Sequence, residues 1–196
     1  MSEKVEEELI DIVDKPLYKK LFHPIIPGSS IHSKQESRAK LGLAKKKIIL
    51  FFGLVRSYKG LDVLIKANKF LKSKLSDYQI LICGESYGDD AYYLELIENN
   101  SDNEEVRWIN KFIPSNEVAT YFSASDVVAL PYKTASQSGI IPLAYSFLRP
   151  VIASDIKGIR EMVLEGETGT LFQMDSPESL STKIKHFFDE DIDYED

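Results

Sequence analysis

Residues 46–67, KKIILFFGLVRSYKGLDVLIKA, constrain the fold more than any other stretch of the chain. An apolar run over residues 48–52 follows two lysines and stops at Gly53. A run of that length suits a strand buried on both faces, as in a parallel sheet. Beyond the polar turn Arg56-Ser57-Tyr58-Lys59-Gly60, residues Leu61, Leu64, Ile65 and Asn68 recur at helical spacing. The unit therefore reads strand, glycine turn, helix. In open α/β sheets such a turn lies at the carboxyl ends of the strands, where ligands bind. Here it sets two cations beside glycines and faces a helix start, an arrangement suited to an anionic phosphate.

The same alternation continues down the chain. Strands are predicted over residues 79–83, 106–109, 127–130, 150–154 and 169–172. Between them the periodicity predicts helices over residues 90–99, 118–122 and 159–164. The first of these precedes a polar loop, and Ser115-Asn116-Glu117 caps the second. An apolar helix runs from the Ser136-Gln137-Ser138-Gly139 segment through Phe147, and Ser176-Pro177-Glu178 opens a final one. Strands alternating with helices imply a parallel sheet covered on both faces. Ahead of this lies a different region, residues 1–44. It begins with a short acidic helix over residues 2–13, capped by Ser2, with Val5, Leu9, Ile12 and Val13 on one side. A strand over residues 17–22 follows, then a loop marked by His23-Pro24 and Pro27-Gly28, then a helix over residues 33–41 closed by Gly42. An α/β chain that opens on a helix reads as starting at a boundary inside a larger architecture. Residues 189–196, DEDIDYED, form a charged tail predicted to be disordered.

The 196 residues and 43% hydrophobic content fit one ordinary domain with a sizeable core. A net charge of −7 leaves no basic surplus to neutralise a nucleic-acid backbone, so no nucleic-acid partner is expected. No apolar run is long enough to span a bilayer, and no positively charged, apolar leader is read at the start. The single cysteine, Cys83, excludes an internal disulfide and fits a reducing, cytoplasmic setting. Set in the run Ile80-Leu81-Ile82, it reads as a small buried hydrophobe. His23, His32 and His186 show no metal-ligand spacing, and no Ser/His/Asp or Cys/His arrangement stands out. Trp108 and Tyr132 read as packing residues. Two groups remain as candidates for chemistry. Arg56 and Lys59 could clamp a diphosphate through charge-assisted hydrogen bonds worth roughly 1.5–3 kcal/mol each, or could be solvated turn residues. Ser136-Gln137-Ser138-Gly139-Ile140 could offer helix-start N–H groups to an anion, or could simply cap a helix.

Five stretches, in this order, carry a resemblance: FFGLVRSYKGLDVLIKA, ILICGES, VRWINKFIPSNEVATYFSASDVVALPY, SQSGIIPLAYSFLRPVIASDIKGIREMV and EGETGTLF. Together they resemble the carboxyl-terminal, donor-binding domain of GT-B glycosyltransferases of the retaining family 4, or group 1, over about residues 45–185. Even SEKVEEELIDIV and the HPI after it resemble the junction leading into that domain. The resemblance implies a Rossmann-like, doubly wound parallel sheet with helices on both faces, one half of a GT-B architecture, over residues 45–188. It implies a nucleotide-diphosphate sugar as donor substrate, no further cofactor and no metal. By position, Gly53, Arg56 and Lys59 would hold the diphosphate. Lys111, Phe112 and Ile113 would border the base, largely through backbone, and Ser138, Gly139 and Ile140 would approach the phosphates and sugar. Two departures stand out. The family usually has arginine directly after the glycine, where this chain has Leu54. Its paired glutamates fall at Ala135 and Leu143, or at Ser136 and Ala144, and neither register holds a carboxylate.

In that architecture an amino-terminal domain binds the acceptor, a glycan or lipid-linked molecule, and such a domain is expected to lie outside these 196 residues. With it would come any peripheral association with the inner face of the cell membrane. The resemblance thus implies half of a polysaccharide-building transferase. A non-catalytic nucleotide-sugar-binding or regulatory module, or one half of a two-chain transferase, is the alternative. An epimerase of the same architecture would need acidic and histidine groups around the donor, and no matching set is present.

Overall fold

The computed structural model describes residues 3–14, 16, 32–44, 47–88, 90–102 and 105–189. The central apolar run becomes β1 (Lys47–Phe52). Ile48, Ile49, Leu50 and Phe51 are at most 1% exposed. Ile49 and Phe51 enter the apolar cluster on one face of the sheet, Ile48 and Leu50 the cluster on the other. In β2 (Tyr78–Cys83), Ile80 and Ile82 divide from Leu81 and Cys83 in the same way. Side chains of a strand alternate between faces, so a strand apolar at every position requires cover on both sides.

β1 pairs in parallel with β2 on one side and with β4 (Val127–Leu130) on the other. With β3 (Val106–Ile109), β5 (Val151–Ser154) and β6 (Gly169–Phe172) they form one six-stranded sheet in the order β3-β2-β1-β4-β5-β6. Every pairing is parallel. The chain steps outward from β1 to β3, then returns to the opposite side of β1. That reversal leaves a crevice between the carboxyl ends of β1 and β4, the position where open α/β sheets bind ligands. This is the doubly wound, Rossmann-like arrangement.

One face is covered by α3 (Leu61–Leu71), α4 (Asp90–Asn100) and α8 (Pro177–Asp189). The other is covered by α5 (Ser115–Ala124), α6 (Ile140–Ser146) and α7 (Lys157–Arg160). In α3 the helical stripe Leu61, Leu64, Ile65, Asn68 and Leu71 is wholly buried. A fully buried Leu or Ile contributes roughly 1.5–3 kcal/mol, so packing rather than end-capping holds this helix; its Gly60 N-cap supplies no side-chain bond. Buried Asn68 is satisfied, donating to Asn100 O at 2.7 Å and accepting from the Tyr78 hydroxyl at 2.6 Å.

The amino-terminal elements are α1 (Glu3–Ile12), which touches α7 and carries the Lys157–Glu7 ion pair, and α2 (Lys34–Leu41). α2 is capped by Ser33 Oγ, which accepts from Glu36 N, and ends at left-handed Gly42. Asp126 ties it to the sheet, accepting from Arg38 at 2.6 Å and from Ile48 N at 2.7 Å.

Several boundaries differ from the sequence reading. The helix expected over residues 159–164 is α7, Lys157–Arg160, because Met162 N and Val163 N close only short turns onto Ile159 O and Arg160 O. Asp189, read as tail, is the last residue of α8 and pairs with Lys185. Pro150 stands before β5, its carbonyl accepting from Val128 N. Ser2, the strand over residues 17–22, the loop with His23-Pro24 and Pro27-Gly28, and the tail beyond residue 189 lie outside the described residues.

Candidate functional site

β1 delivers the chain to Gly53, whose φ of 99° is one that side chains rarely adopt. A side-chain carbon there would lie 3.1 Å from Lys59 Nζ and 3.6 Å from Ile140 Cδ1. The exit of β1, the turn before α3 and the start of α6 therefore converge on one bare piece of backbone. Arg56 and Lys59 bracket a 3-10 turn, Ser57–Lys59, in which Lys59 N donates to Arg56 O at 2.9 Å.

Burial lowers the pKa of Lys59 below the ordinary lysine value, and the neighbouring charge of Arg56 lowers it further. Among the described residues neither cation is paired with a carboxylate. The Arg56 guanidinium instead stands 5.6 Å from the ring centre of Tyr87, which is exposed. Two like charges, one of them half-buried, raise each other's energy, and a polyanion between them would relieve both.

The turn is braced against the exit of β4. Gly60 is left-handed, with φ 67°, and a side-chain carbon on it would stand 1.9 Å from Pro131 O. Lys133 N donates to Tyr58 O at 2.7 Å, and the rings of Tyr58 and Tyr132 meet edge to face. The Lys133 ammonium bonds Asp62, a buried first-turn residue of α3, at 2.9 Å; Lys66 reaches the same oxygen at 3.3 Å. Desolvation lowers the Lys133 pKa, but the bond to and charge of Asp62, with the charges of Asp175 at 3.7 Å and of Tyr92, outweigh it and leave the group above the ordinary value.

At the start of α6, Ser138 is buried. Its Oγ accepts from Ile140 N at 3.2 Å and lies 3.3 Å from the Tyr132 hydroxyl, whose pKa burial pushes up to about 12. The Ile140 N–H, read from the sequence as a donor for an anion, is thus engaged within the chain. Gly139 is exposed with open space where a side chain would be.

The remaining candidates sit at the exit of β3, two strand spacings from β1, or about 10 Å. Phe112 is 68% exposed and Lys111 stands 3.9 Å from Glu117, whereas the Ile113 side chain belongs to the core. The loops after β2 and β3 are joined by Ser86 N donating to Asn110 Oδ1 at 3.0 Å. Of the positions lacking carboxylates, Ala144 is fully buried and the Ala135 and Ser136 carbonyls pack on Gly158.

The structure therefore brings Gly53, Lys59 and Ile140 together, with Arg56 beside them, and sets Lys111 and Phe112 across the same edge of the sheet. Sequence reasoning missed Asp62 and Lys133. A first-turn aspartate reads as an ordinary helix-start residue, and nothing local to Lys133 points to a partner 71 residues away. Among the described residues no three His, Cys, Asp or Glu side chains are grouped as metal ligands, and no helix is long and apolar enough to cross a membrane.

Residues 33–196 match the family described as Glycosyl transferases group 1. The chain is 32% identical over 171 residues to D-inositol 3-phosphate glycosyltransferase of Corynebacterium glutamicum, covering 84% of this chain and 40% of that protein. Among solved structures it resembles the C-terminal domain of a group 1 family glycosyl transferase from Francisella tularensis, with TM-score 0.71 and 21% identity over 81% of this chain and 83% of that one. It also resembles Anabaena HepE, solved with UDP and glucose, with TM-score 0.72 and 20% identity over 85% of this chain and 45% of that one. The chain spans less than half the length of the curated relative, at 40%.

Proposed function

We propose, for a chain that belongs to the group 1 glycosyl transferases, that the crevice between β1 and β4 binds the nucleoside diphosphate of an activated sugar. The observation that carries this reading is the pair Arg56 and Lys59. They are two cations without carboxylate partners among the described residues, set beside Gly53 at the switch point of the sheet. The base would lie toward Lys111 and Phe112, with the Ile113 side chain contributing only to the core beneath. The sugar would lie toward Gly139 and Ile140.

In the reaction the bond between the anomeric carbon and the β-phosphate oxygen breaks, and an acceptor hydroxyl oxygen bonds to that carbon with retention of configuration. The acceptor's proton is lost and the nucleoside diphosphate leaves. Negative charge grows on the departing diphosphate, so fixed cations there stabilise the transition state more than the ground state. Arg56 and Lys59 supply that countercharge in place of a metal. A glycan or lipid-linked acceptor would be bound by a second domain, in a cytoplasmic polysaccharide-building enzyme working at the inner face of the cell membrane.

Titration calorimetry with UDP, GDP and ADP, each against its nucleoside, tests the reading. The preferred diphosphate should bind more tightly than its nucleoside. Arg56→Ala or Lys59→Ala should weaken the diphosphate by roughly 1–3 kcal/mol, about 5- to 150-fold, and leave the nucleoside nearly unchanged. Equal binding by wild type and both variants would make these cations ordinary surface residues. The missing carboxylates at residues 135, 136, 143 and 144 favour a second reading, a nucleotide-sugar-binding module without transfer. Donor-dependent glycosylation of any acceptor by a full-length protein carrying this domain would exclude it.

A further inference from the structure

Lys133 touches the cationic turn on both sides of Lys59. Its backbone N–H bonds Tyr58 O, immediately before Lys59, and its ammonium bonds Asp62, three residues after. Between these points Gly60 lies directly on Pro131 O, two residues before Lys133. The segment carrying Lys59 is thus pinned to the exit of β4 from both ends. The Asp62 side chain is 8% exposed, and of its two lysines Lys133 is the nearer, at 2.9 Å against 3.3 Å for the more exposed Lys66.

A buried aspartate in the first turn of a helix is already favoured by the helix dipole, so the bond could serve stability alone. The geometry points to more. Lys59 is a long, rotatable side chain that must stay over Gly53, half-desolvated and beside another cation, before any anion arrives. A turn free to tilt would let the Lys59 ammonium retreat into water, whereas Arg56, outside the pinned 58–62 segment, is already exposed. We propose that Lys133 and Asp62 are positioning residues for the phosphate site: their ion pair fixes the 58–62 segment so that the Lys59 ammonium stays over Gly53. Neither residue needs to touch the ligand. The inference rests on the nucleotide reading above and adds to it the means by which the clamp is preorganised.

The test is a double-mutant cycle on the full chain, read by calorimetry with the diphosphate among UDP, GDP and ADP that the wild type prefers, and with its nucleoside. Lys133→Ala should weaken diphosphate binding about 3- to 10-fold and leave nucleoside binding unchanged. Lys133→Arg, which keeps the ion pair, should restore most of the loss. In a Lys59→Ala background, Lys133→Ala should have no further effect, because the group it positions is gone. Asp62→Asn keeps the shape of the buried side chain and should repeat the pattern if Lys133→Ala does not fold. Unchanged diphosphate affinity, an equal loss for nucleoside and diphosphate, or full additivity with Lys59→Ala would each show the pair to be structural only. If the wild type binds none of the three diphosphates, the nucleotide reading falls and this inference with it. That result differs from a wild type that binds and a variant that does not respond.

Discussion

Replacing Gly60 with alanine separates two costs that are usually confounded. Gly42 and Gly60 both hold left-handed conformations, with φ of 64° and 67°. A β-carbon at Gly42 would meet nothing within 4 Å, whereas at Gly60 it would stand 1.9 Å from Pro131 O. Gly42→Ala therefore isolates the backbone cost of a left-handed L-residue, about 1–2 kcal/mol. Gly60→Ala adds a steric conflict that nothing flexible can relieve, because the opposing atom is backbone. Real side-chain carbons stay about 3 Å or more from such atoms, so the turn must part from β4 by about 1 Å. Overpacking of that kind costs a further 1–3 kcal/mol or so. The same displacement stretches the 2.7 Å bond from Lys133 N to Tyr58 O and draws Lys59 away from Gly53. Urea denaturation followed by the fluorescence of the single tryptophan, Trp108, whose Nε1 donates to Gly84 O, measures both variants. Gly60→Ala should be less stable than Gly42→Ala by about 1–3 kcal/mol at an unchanged m-value, and it alone should lose diphosphate affinity, by more than about tenfold. Equal destabilisation, with diphosphate binding intact in both, would refute the close approach of the turn to β4.

Two further outcomes follow from groups outside the site. Glu165 accepts from Thr170, Leu171 N and Lys183 at 2.6, 2.7 and 3.2 Å. Burial raises its pKa, but these donors outweigh burial and hold it below the ordinary glutamate value. Its contribution is thus fully present above the unfolded value of about 4.3 and lost as pH falls through the lower folded value. The advantage of wild type over Glu165→Gln should be constant from pH 7 to 5, under about 1 kcal/mol given its exposure, and should shrink below pH 4 in parallel urea titrations. Cys83 is fully buried and its thiol is pushed well above the ordinary range. Thiol reagents at pH 8 should label it only as fast as the protein unfolds, and rapid stoichiometric labelling of the native chain would contradict that placement.

The division between what was legible in the sequence and what was not follows the range of the interactions. The α/β class was legible because each element announces itself locally. Short apolar runs bounded by glycine and polar turns suit strands covered on both faces, and Leu61, Leu64, Ile65 and Asn68 share a buried face at helical spacing. The cationic turn was legible for the same reason, since Gly53, Arg56, Lys59 and Gly60 lie within eight consecutive residues. Helix ends were less so: α7 stops at Arg160 although Met162 and Val163 would prolong its pattern. Only the tertiary structure decided that β4 rather than β2 closes the crevice around that turn, since strand order depends on where each crossover returns. Only it showed Ser138 capping Ile140, Ile113 turned into the core, and Lys133 reaching Asp62. Propensity and periodicity act over a few residues, so they determine which elements form. Which side chains meet depends on how those elements stack to bury both faces of the sheet, and no local pattern encodes a pairing across 71 residues.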